Sequence, residues 1–513
     1  MARVSFDNVG RSFVVGTLAE VWRVGSRFVV TPIVLAHIGL AGYGVWTLIF
    51  SLSAYVSIAN VGFGVSYVKF TAECVRVRDY ARLRSILGAG TAVVGAFAVV
   101  GVAVAWLGGQ ALLRWLNVPA QLIGDAHVAM LIVIAVLVLR LTIGCSFEVL
   151  SGLQRVDLSH RLTIFASFVE MVVTVPLLVL GHGLVGMAIG HAVGQTAAFV
   201  LGRRWVKRED PRVSISPIFA TRAGLHAVLR IGGPMQGLAF LQVVIGEGVK
   251  VLLSVLIDPR ATALYGLADK LVQLARTPVT AVVAPLLAVF ADLQAAGERA
   301  REHEVIHRAG KAVAIVGGGV AVFVAVTAVP ALLAWTGQHM PQAAWAVQVL
   351  VLANLVPQQS AVLTASLRAK GTVRLELAFA LITTVVGIAV LLAIVRIAPF
   401  EAVVWTRAAS VTVAGAWFLG ASLRQVRLDT GSWYRGIALA RVLGVISVAS
   451  VLLVFVRALV DLPEVTVSPR WRAVIELVVC GLAYGSILGV GAWRYVLDLD
   501  ERAIVSRSVA RRR

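Results

Sequence analysis

Near the N-terminus, the stretch AEVWRVGSRFVV at 19–30 places Glu20, Arg23 and Arg27 inside an apolar run long enough to cross a bilayer. At 100° per residue the three side chains fall within about 60° of one another on a helix. A charge at the bilayer centre costs roughly 2.5 kcal/mol or more, so charges kept there are expected to face a bundle interior or a wet cavity. The pattern recurs. Glu247 and Lys250 stand at i,i+3, and Asp269, Gln273 and Arg276 share one helical face. Arg140, Glu170, Lys270 and Arg407 are also embedded in apolar sequence. Internal ion pairing is one reading of these groups. The embedded cations outnumber the anions by about three, however, and an unpaired buried cation is expensive. A water-filled central cavity with an anionic guest resolves that cost, and guanidinium suits phosphate through bidentate hydrogen bonds. Arg23, Arg27, Arg140, Lys250 and Arg276 are therefore the expected cargo-binding residues. Glu20, Glu170, Glu247 and Asp269 are expected to orient these cations or to bind a coupling proton or sodium ion.

The elements that hold these residues follow from composition. Of 513 residues, 59% are hydrophobic and 14% charged, and the mean hydropathy is +0.90. Soluble domains carry about 25% charged residues. The apolar residues come in blocks of about 18–25, the length that spans a hydrocarbon core. The expected fold is an all-α integral membrane bundle of about fourteen transmembrane helices, the first two near 12–36 and 43–68, the seventh near 231–257 and the last near 473–494. An even number puts both termini on one side. About 32 Lys and Arg residues fall on the terminal side against 5 on the other, which makes the termini cytoplasmic by the positive-inside rule. That distribution also argues against nucleic acid as the partner of the +20 formal charge. The polar start MARVSFDNVGRSF lacks the features of a cleavable signal peptide.

Similar stretches recur at a near-constant offset. GYGVWTLIFSLSAYVS at 42–57 and LYGLADKLVQLARTPV at 264–279 both carry Tyr-Gly at their second and third positions, and SGLQRVDL at 151–158 and ASLRAKGTVRLEL at 365–377 both lead from one helix into the next. The offset of roughly 220 residues predicts two six-helix lobes related by a pseudo-twofold axis, followed by two extra helices. The expected divisions are 1–210, 211–425 and 426–513. Prolines at 32, 176, 234, 278, 285, 330 and 357 interrupt helices and mark candidate hinges or simple kinks.

Other motifs carry less. HEVIH at 303–307 matches the H-E-x-x-H zinc-protease pattern but lies in a polar stretch without an obvious third ligand, and reads as a chance match. GGG at 317–319 has no phosphate-loop spacing and suits close helix packing. The three cysteines have no metal or disulfide spacing. Outer loops are nearly bare, so no enzyme, metal site or organic cofactor is expected.

The stretches GLAGYGVWTLIFSLSAYVSIANVGFGVSYVKFTAE at 39–73, SGLQRVDL at 151–158 and YGLADKLVQLARTPVTAVVAPLLAVFADLQA at 265–295 resemble the Wzx-type oligosaccharide flippases of the multidrug/oligosaccharidyl-lipid/polysaccharide (MOP) exporter superfamily. Asn60 stands where members often have Asp. The resemblance implies alternating-access movement of a polyprenyl-pyrophosphate-linked oligosaccharide from the inner to the outer leaflet of the cytoplasmic membrane, for cell-surface polysaccharide biosynthesis. It also implies membrane lipid and the lipid-linked glycan as partners, with a polysaccharide polymerase or export machinery nearby. Arg23 and Arg27 match the family's tendency toward basic lumen residues on the first helix, and with Arg140, Lys250 and Arg276 would attract the pyrophosphate. Competing readings are a cation-coupled exporter of lipid II or multidrug type and a membrane glycan polymerase or ligase.

Overall fold

The structure is a computed structural model. It describes the backbone of residues 6–142, 145–372, 374–394, 399–459, 468–499 and 501–503. The side chains of 6–21, 23, 24, 27, 58–62, 231–235 and a few single positions also lie outside the described residues, Glu20, Arg23, Arg27, Asn60 and Pro234 among them.

Among the described residues every regular element is helical, and thirteen helices are long and apolar enough to cross a membrane. The expected number was about fourteen. The first two expected segments fall on one continuous element, α1 (Phe6–Val77), which breaks at Gly39 with φ 67° and ψ −179°. That backbone conformation favours glycine, and it turns one long apolar run into two helices. Large apolar side chains remain exposed along these helices, such as Leu443, Val451 and Phe455 at 53, 70 and 61%. In a membrane chain that exposure is lipid contact, since the bilayer satisfies apolar surface as a core does.

By their internal contacts the residues form two compact units, Met1–Ala263 and Leu264–Arg513. The first holds α1, α2 (Tyr80–Trp115), α3 (Ile123–Thr142), α4 (Ser146–Gly152), α5 (Val156–Val179), α6 (Gly183–Glu209) and α7 (Arg222–Leu256). Asp79 caps α2 by accepting from Arg82 N, and Thr221 caps α7 by accepting from Gly224 N. The sequence division at 210/211 assigns α7 to the second lobe. In the structure α7 lies along α1 and α2. Asn117 Nδ2 donates to the Val255 carbonyl at 2.9 Å, and Ser254 Oγ donates to the Leu116 carbonyl.

The second unit begins within α8 (Pro259–Val283). It continues through α9 (Leu286–Ala295), α10 (Arg299–Val326), α11 (Ala328–Thr336), α12 (Pro341–Ala353), α13 (Leu355–Gln359) and α14 (Ala361–Ala369). Then come α15 (Arg374–Ile394), α16 (Pro399–Val426), α17 (Thr430–Gly436), α18 (Leu439–Leu459) and α19 (Pro469–Gly491). Breaks fall beside Pro285, Pro330 and Pro357, whereas Pro32, Pro176 and Pro278 are carried inside continuous helices. The Gly317–Gly319 run on α10 serves close packing. A Cβ at 317 would meet Gln358 Oε1 at 2.6 Å, one at 318 Ile446 at 2.8 Å and one at 319 Leu488 at 2.4 Å. Three successive residues thus face α13, α18 and α19.

The two linker motifs share a design. In SGLQRVDL, Arg155 pairs with Asp157 at 3.2 Å and with Glu209 at the end of α6. In ASLRAKGTVRLEL, Arg368 makes a two-armed bond to Glu376 at 2.8 and 2.7 Å, and Lys370 reaches Glu302 at 3.0 Å. Each motif carries an arginine–carboxylate clasp, the first joining the start of α5 to the end of α6 and the second joining α14 to α15.

Candidate functional site

In the first unit the embedded charges form two sets. Lys250 Nζ donates to Glu247 Oε2 at 2.9 Å, one turn back on α7, and Ser51 Oγ of α1 donates to the same oxygen at 2.7 Å. Lys250 is 12% exposed and Glu247 29%. The i,i+3 spacing predicts this pair; the serine from 196 residues away does not show in the pattern. Lys250 is thereby engaged by a carboxylate, the internal pairing that the sequence left open. Arg140 is exposed at the end of α3 and makes no ion pair among the described residues. Glu20, Arg23 and Arg27 lie outside the described side chains.

The second set joins Glu170 to a residue that counting Lys, Arg, Asp and Glu overlooks. His191 Nδ1 on α6 lies 3.3 Å from Glu170 Oε1 on α5. Phe50 sits edge-on to the imidazole with centroids 5.1 Å apart, and Trp46 packs on Phe50 at 4.8 Å. The packing that sets this distance is legible afterwards in GMAIGHAVGQTAAFVLG, where Gly186, Gly190, Gly194, Ala198 and Gly202 repeat every fourth residue. A Cβ at 190 would meet Thr174 Oγ1 at 2.0 Å, and one at 194 would meet the Ala166 carbonyl at 2.6 Å and Glu170 N at 2.9 Å. α5 and α6 therefore touch backbone to backbone, with Glu170 and His191 on either side of the seam.

In the second unit Gln273 Nε2 donates to Asp269 Oδ2 at 2.9 Å, so those two residues share a face of α8 as their spacing predicts. Arg276, Thr277 and Thr280 extend that face and are exposed. Arg276 interacts electrostatically with Arg407 of α16 and with Asp269. Neither arginine makes an ion pair within 4 Å among the described residues, so the Arg276 guanidinium feels a second guanidinium and one carboxylate without a direct partner. On α13 the Gln358 side chain is 5% exposed, and neither its amide nitrogen nor its oxygen has a hydrogen-bond partner. No sequence signal singled it out beyond its place beside Pro357.

The HEVIH residues are occupied separately. His303 Nε2 lies 3.1 Å from the Val426 carbonyl, Glu304 pairs with Arg308, and His307 packs against Trp433 with ring centroids 6.0 Å apart. Among the described residues no group of three or more His, Cys, Asp or Glu is placed to hold a metal ion.

Comparison with solved structures defines the fold class. An inward-facing multidrug resistance MATE family transporter of the MOP superfamily superposes with a TM-score of 0.68 at 15% identity, covering 81% of this chain and 98% of its own. The lipid II flippase MurJ in an inward closed conformation gives 0.69 at 12% identity, covering 93% and 99%. A MOP superfamily transporter from Pyrococcus furiosus, described by the reverse polarity of its binding pocket, gives 0.58 at 15%, covering 82% and 95%. The chain is a multi-pass membrane protein with the fold of MOP superfamily transporters. Within it, residues 97–344 match the family described as polysaccharide biosynthesis protein. Comparison with functionally curated proteins gives no match.

Proposed function

We propose that the protein is a flippase that carries a polyprenyl-pyrophosphate-linked oligosaccharide from the inner to the outer leaflet of the cytoplasmic membrane by alternating access. Arg276 carries this reading. It is an exposed guanidinium in the middle of a membrane-length helix, and it stands within electrostatic reach of a second guanidinium, Arg407, and of one carboxylate, Asp269. Two arginines with one acid attract a dianionic headgroup and repel cationic drugs. The segment matching a polysaccharide biosynthesis family supplies the glycan side of the reading.

In this mechanism the protein makes and breaks no covalent bond. Arg276 and Arg407 bind the pyrophosphate. Gln273, Thr277 and Thr280 offer hydrogen bonds to the glycan, and the hydrocarbon tail stays in lipid. The breaks beside Pro285, Pro330 and Pro357 supply places where helices bend during exchange. Both termini lie in the cytoplasm, and a polymerase or export complex receives the product outside.

Mass spectrometry of lipid-linked intermediates in a deletion strain, with leaflets assigned by a membrane-impermeant label, tests the proposal. Cargo should accumulate on the cytoplasmic leaflet. Substrate stranded on the outer leaflet would point to a polymerase or ligase instead. A second reading, lipid II as cargo, draws on the likeness to the lipid II flippase over 93% of the chain, and the same spectra distinguish it by the mass of the accumulated species.

A further inference from the structure

The connection between α6 and α7 is bolted to the start of α2. Tyr80 Oη donates to Asp210 Oδ2 at 2.8 Å, and the Arg212 guanidinium lies over the Tyr80 ring, 4.4 Å from its centroid. Val213 and Ile215 are buried in one cluster with Leu83, Leu87 and Val228. Arg84 Nη2 donates to the Arg212 carbonyl at 3.2 Å, and the Ser85 and Thr221 hydroxyls share a hydrogen bond. A Cβ at Gly88 would meet the Ser216 carbonyl oxygen at 2.8 Å and the Ala220 nitrogen at 2.9 Å, so the turn Pro217–Phe219 is pressed backbone to backbone onto the helix. The tip of this fixed turn is nevertheless apolar and uncovered, with Ile218 87% exposed and Phe219 42%. Its depth explains the exposure. α2 is 36 residues long, about 54 Å, against a hydrocarbon core of roughly 30 Å. Its charges stop at Arg84 and resume only at Arg114. The hydrocarbon therefore begins near residues 85–88, the level at which the turn is held.

The acids at this level are already engaged. Asp210 is taken by Arg212 and Tyr80, and Glu209 by Arg155. Two cations beside the turn have no such partner. The Arg84 guanidinium carbon lies 5.8 Å from the Phe219 ring centroid. Arg222 opens α7 directly after Thr221, the residue bound to Ser85. Among the described residues neither makes an ion pair within 4 Å. Lys207 and Arg208, in the last turn of α6, add exposed positive charge. An apolar tip at the hydrocarbon border, flanked by cations without acids, fits a molecule with acyl chains on one side and negative charge on the other.

We propose that the turn Pro217–Phe219 is a binding site for an anionic phospholipid of the surrounding bilayer. Ile218 and Phe219 enter the border of the acyl chains, and Arg84 and Arg222 hold the phosphate through charge-assisted hydrogen bonds. No covalent bond changes. Lipid held there fixes the α6–α7 connection, and with it the start of α7, at the membrane surface. The site lies within the first unit and is independent of the flippase reading, since a phospholipid occupies it with or without cargo.

The test is fluorescence quenching in nanodiscs. Bimane attached to Ile218→Cys reports on the tip, the three native cysteines being buried, and brominated acyl chains quench it on contact. With about a fifth of the lipid brominated, phosphatidylglycerol should quench at least threefold more than phosphatidylcholine. Bimane on Val451→Cys, an exposed apolar position of α18, should be quenched equally by the two lipids. Arg84→Gln with Arg222→Gln should abolish the preference at position 218. If that double variant does not fold, raising NaCl from about 0.05 to 0.5 M should at least halve the preference with both arginines present, because salt screens exposed charge. Absence of quenching, equal quenching by both lipids, the same preference at position 451, or a preference that neither the arginines nor salt alters overturns the site. Displacement of the brominated phosphatidylglycerol by equimolar polyprenyl pyrophosphate would assign the turn to cargo and overturn the phospholipid assignment. A phosphatidylglycerol preference in protein that flips no cargo upholds the site and counts against the flippase reading alone.

Discussion

Lys250 and Glu247 are joined at 2.9 Å across one turn of α7, and Ser51 from α1 closes on the same carboxylate oxygen at 2.7 Å. The three-part contact satisfies a charge pair inside the membrane and pins α7 to α1. Lys250→Met alone leaves the Glu247 carboxylate without its cation, whereas Lys250→Met with Glu247→Gln removes both charges. The double variant should melt closer to wild type than the sum of the single variants, with a coupling of about 1–2 kcal/mol. Thermal unfolding in detergent measures it, and strict additivity would refute the pairing role.

Arg276 differs from Lys250 in having no carboxylate within ion-pair distance among the described residues. Arg276→Ala should cut flipping by a factor of about ten or more, the size of one lost charge-assisted bond to phosphate. Its melting temperature should stay within a degree or two of wild type. Arg276→Lys should recover part of the rate, because the charge returns without the two-armed geometry. Full export by Arg276→Ala at normal expression would remove this residue from the cargo path.

The α5–α6 seam is intolerant of side chains. Gly190→Val places new atoms where Thr174 Oγ1 already lies, and overpacking of this kind costs about 1–3 kcal/mol. Gly485→Ala on α19 is the contrasting case, with nothing within 4 Å of the added carbon. It should leave stability unchanged or raise it by about 0.5–1 kcal/mol through helix propensity. Equal losses from the two variants would contradict the seam.

Residues just after α19 are clasped by Lys311 of α10, whose Nζ donates to Asp498 Oδ2 at 2.7 Å and to Glu501 Oε2 at 3.0 Å. The bond from Lys311, opposed in part by burial, holds the Asp498 carboxyl below its usual range. A carboxyl lowered by folding stabilises the folded state above its ordinary value of about 4, and that contribution fades as pH falls through the lowered value. Hydrogen exchange at residues 497–503 should therefore quicken below about pH 4, after correction for intrinsic rates. Lys311→Met should show the faster exchange already at pH 7.

Much of the fold was legible because a bilayer imposes a simple rule. A spanning helix needs about 20 apolar residues, so blocks in the sequence become helices with little tertiary choice. Twelve of the expected segments, from 85–107 to the last and including 231–257, correspond one to one with observed spans. The first two lie on one continuous element that a single glycine, Gly39, divides into two helices. The placement of α7 was not legible. An apolar block shows that a helix crosses the membrane, not which neighbour it will touch, and α7 touches α1 and α2.

The site divides in the same way. The sequence by itself determined that acids and bases occur inside the membrane, and that Asp269 with Gln273, and Glu247 with Lys250, share helical faces, because spacing along one helix fixes angle. Only the tertiary structure decided what meets across helices. It brought Ser51 to Glu247, set His191 beside Glu170 through a stripe of glycines, and placed Arg407 within electrostatic reach of Arg276. Such contacts depend on the approach of backbones remote in the chain, which a periodic pattern does not encode.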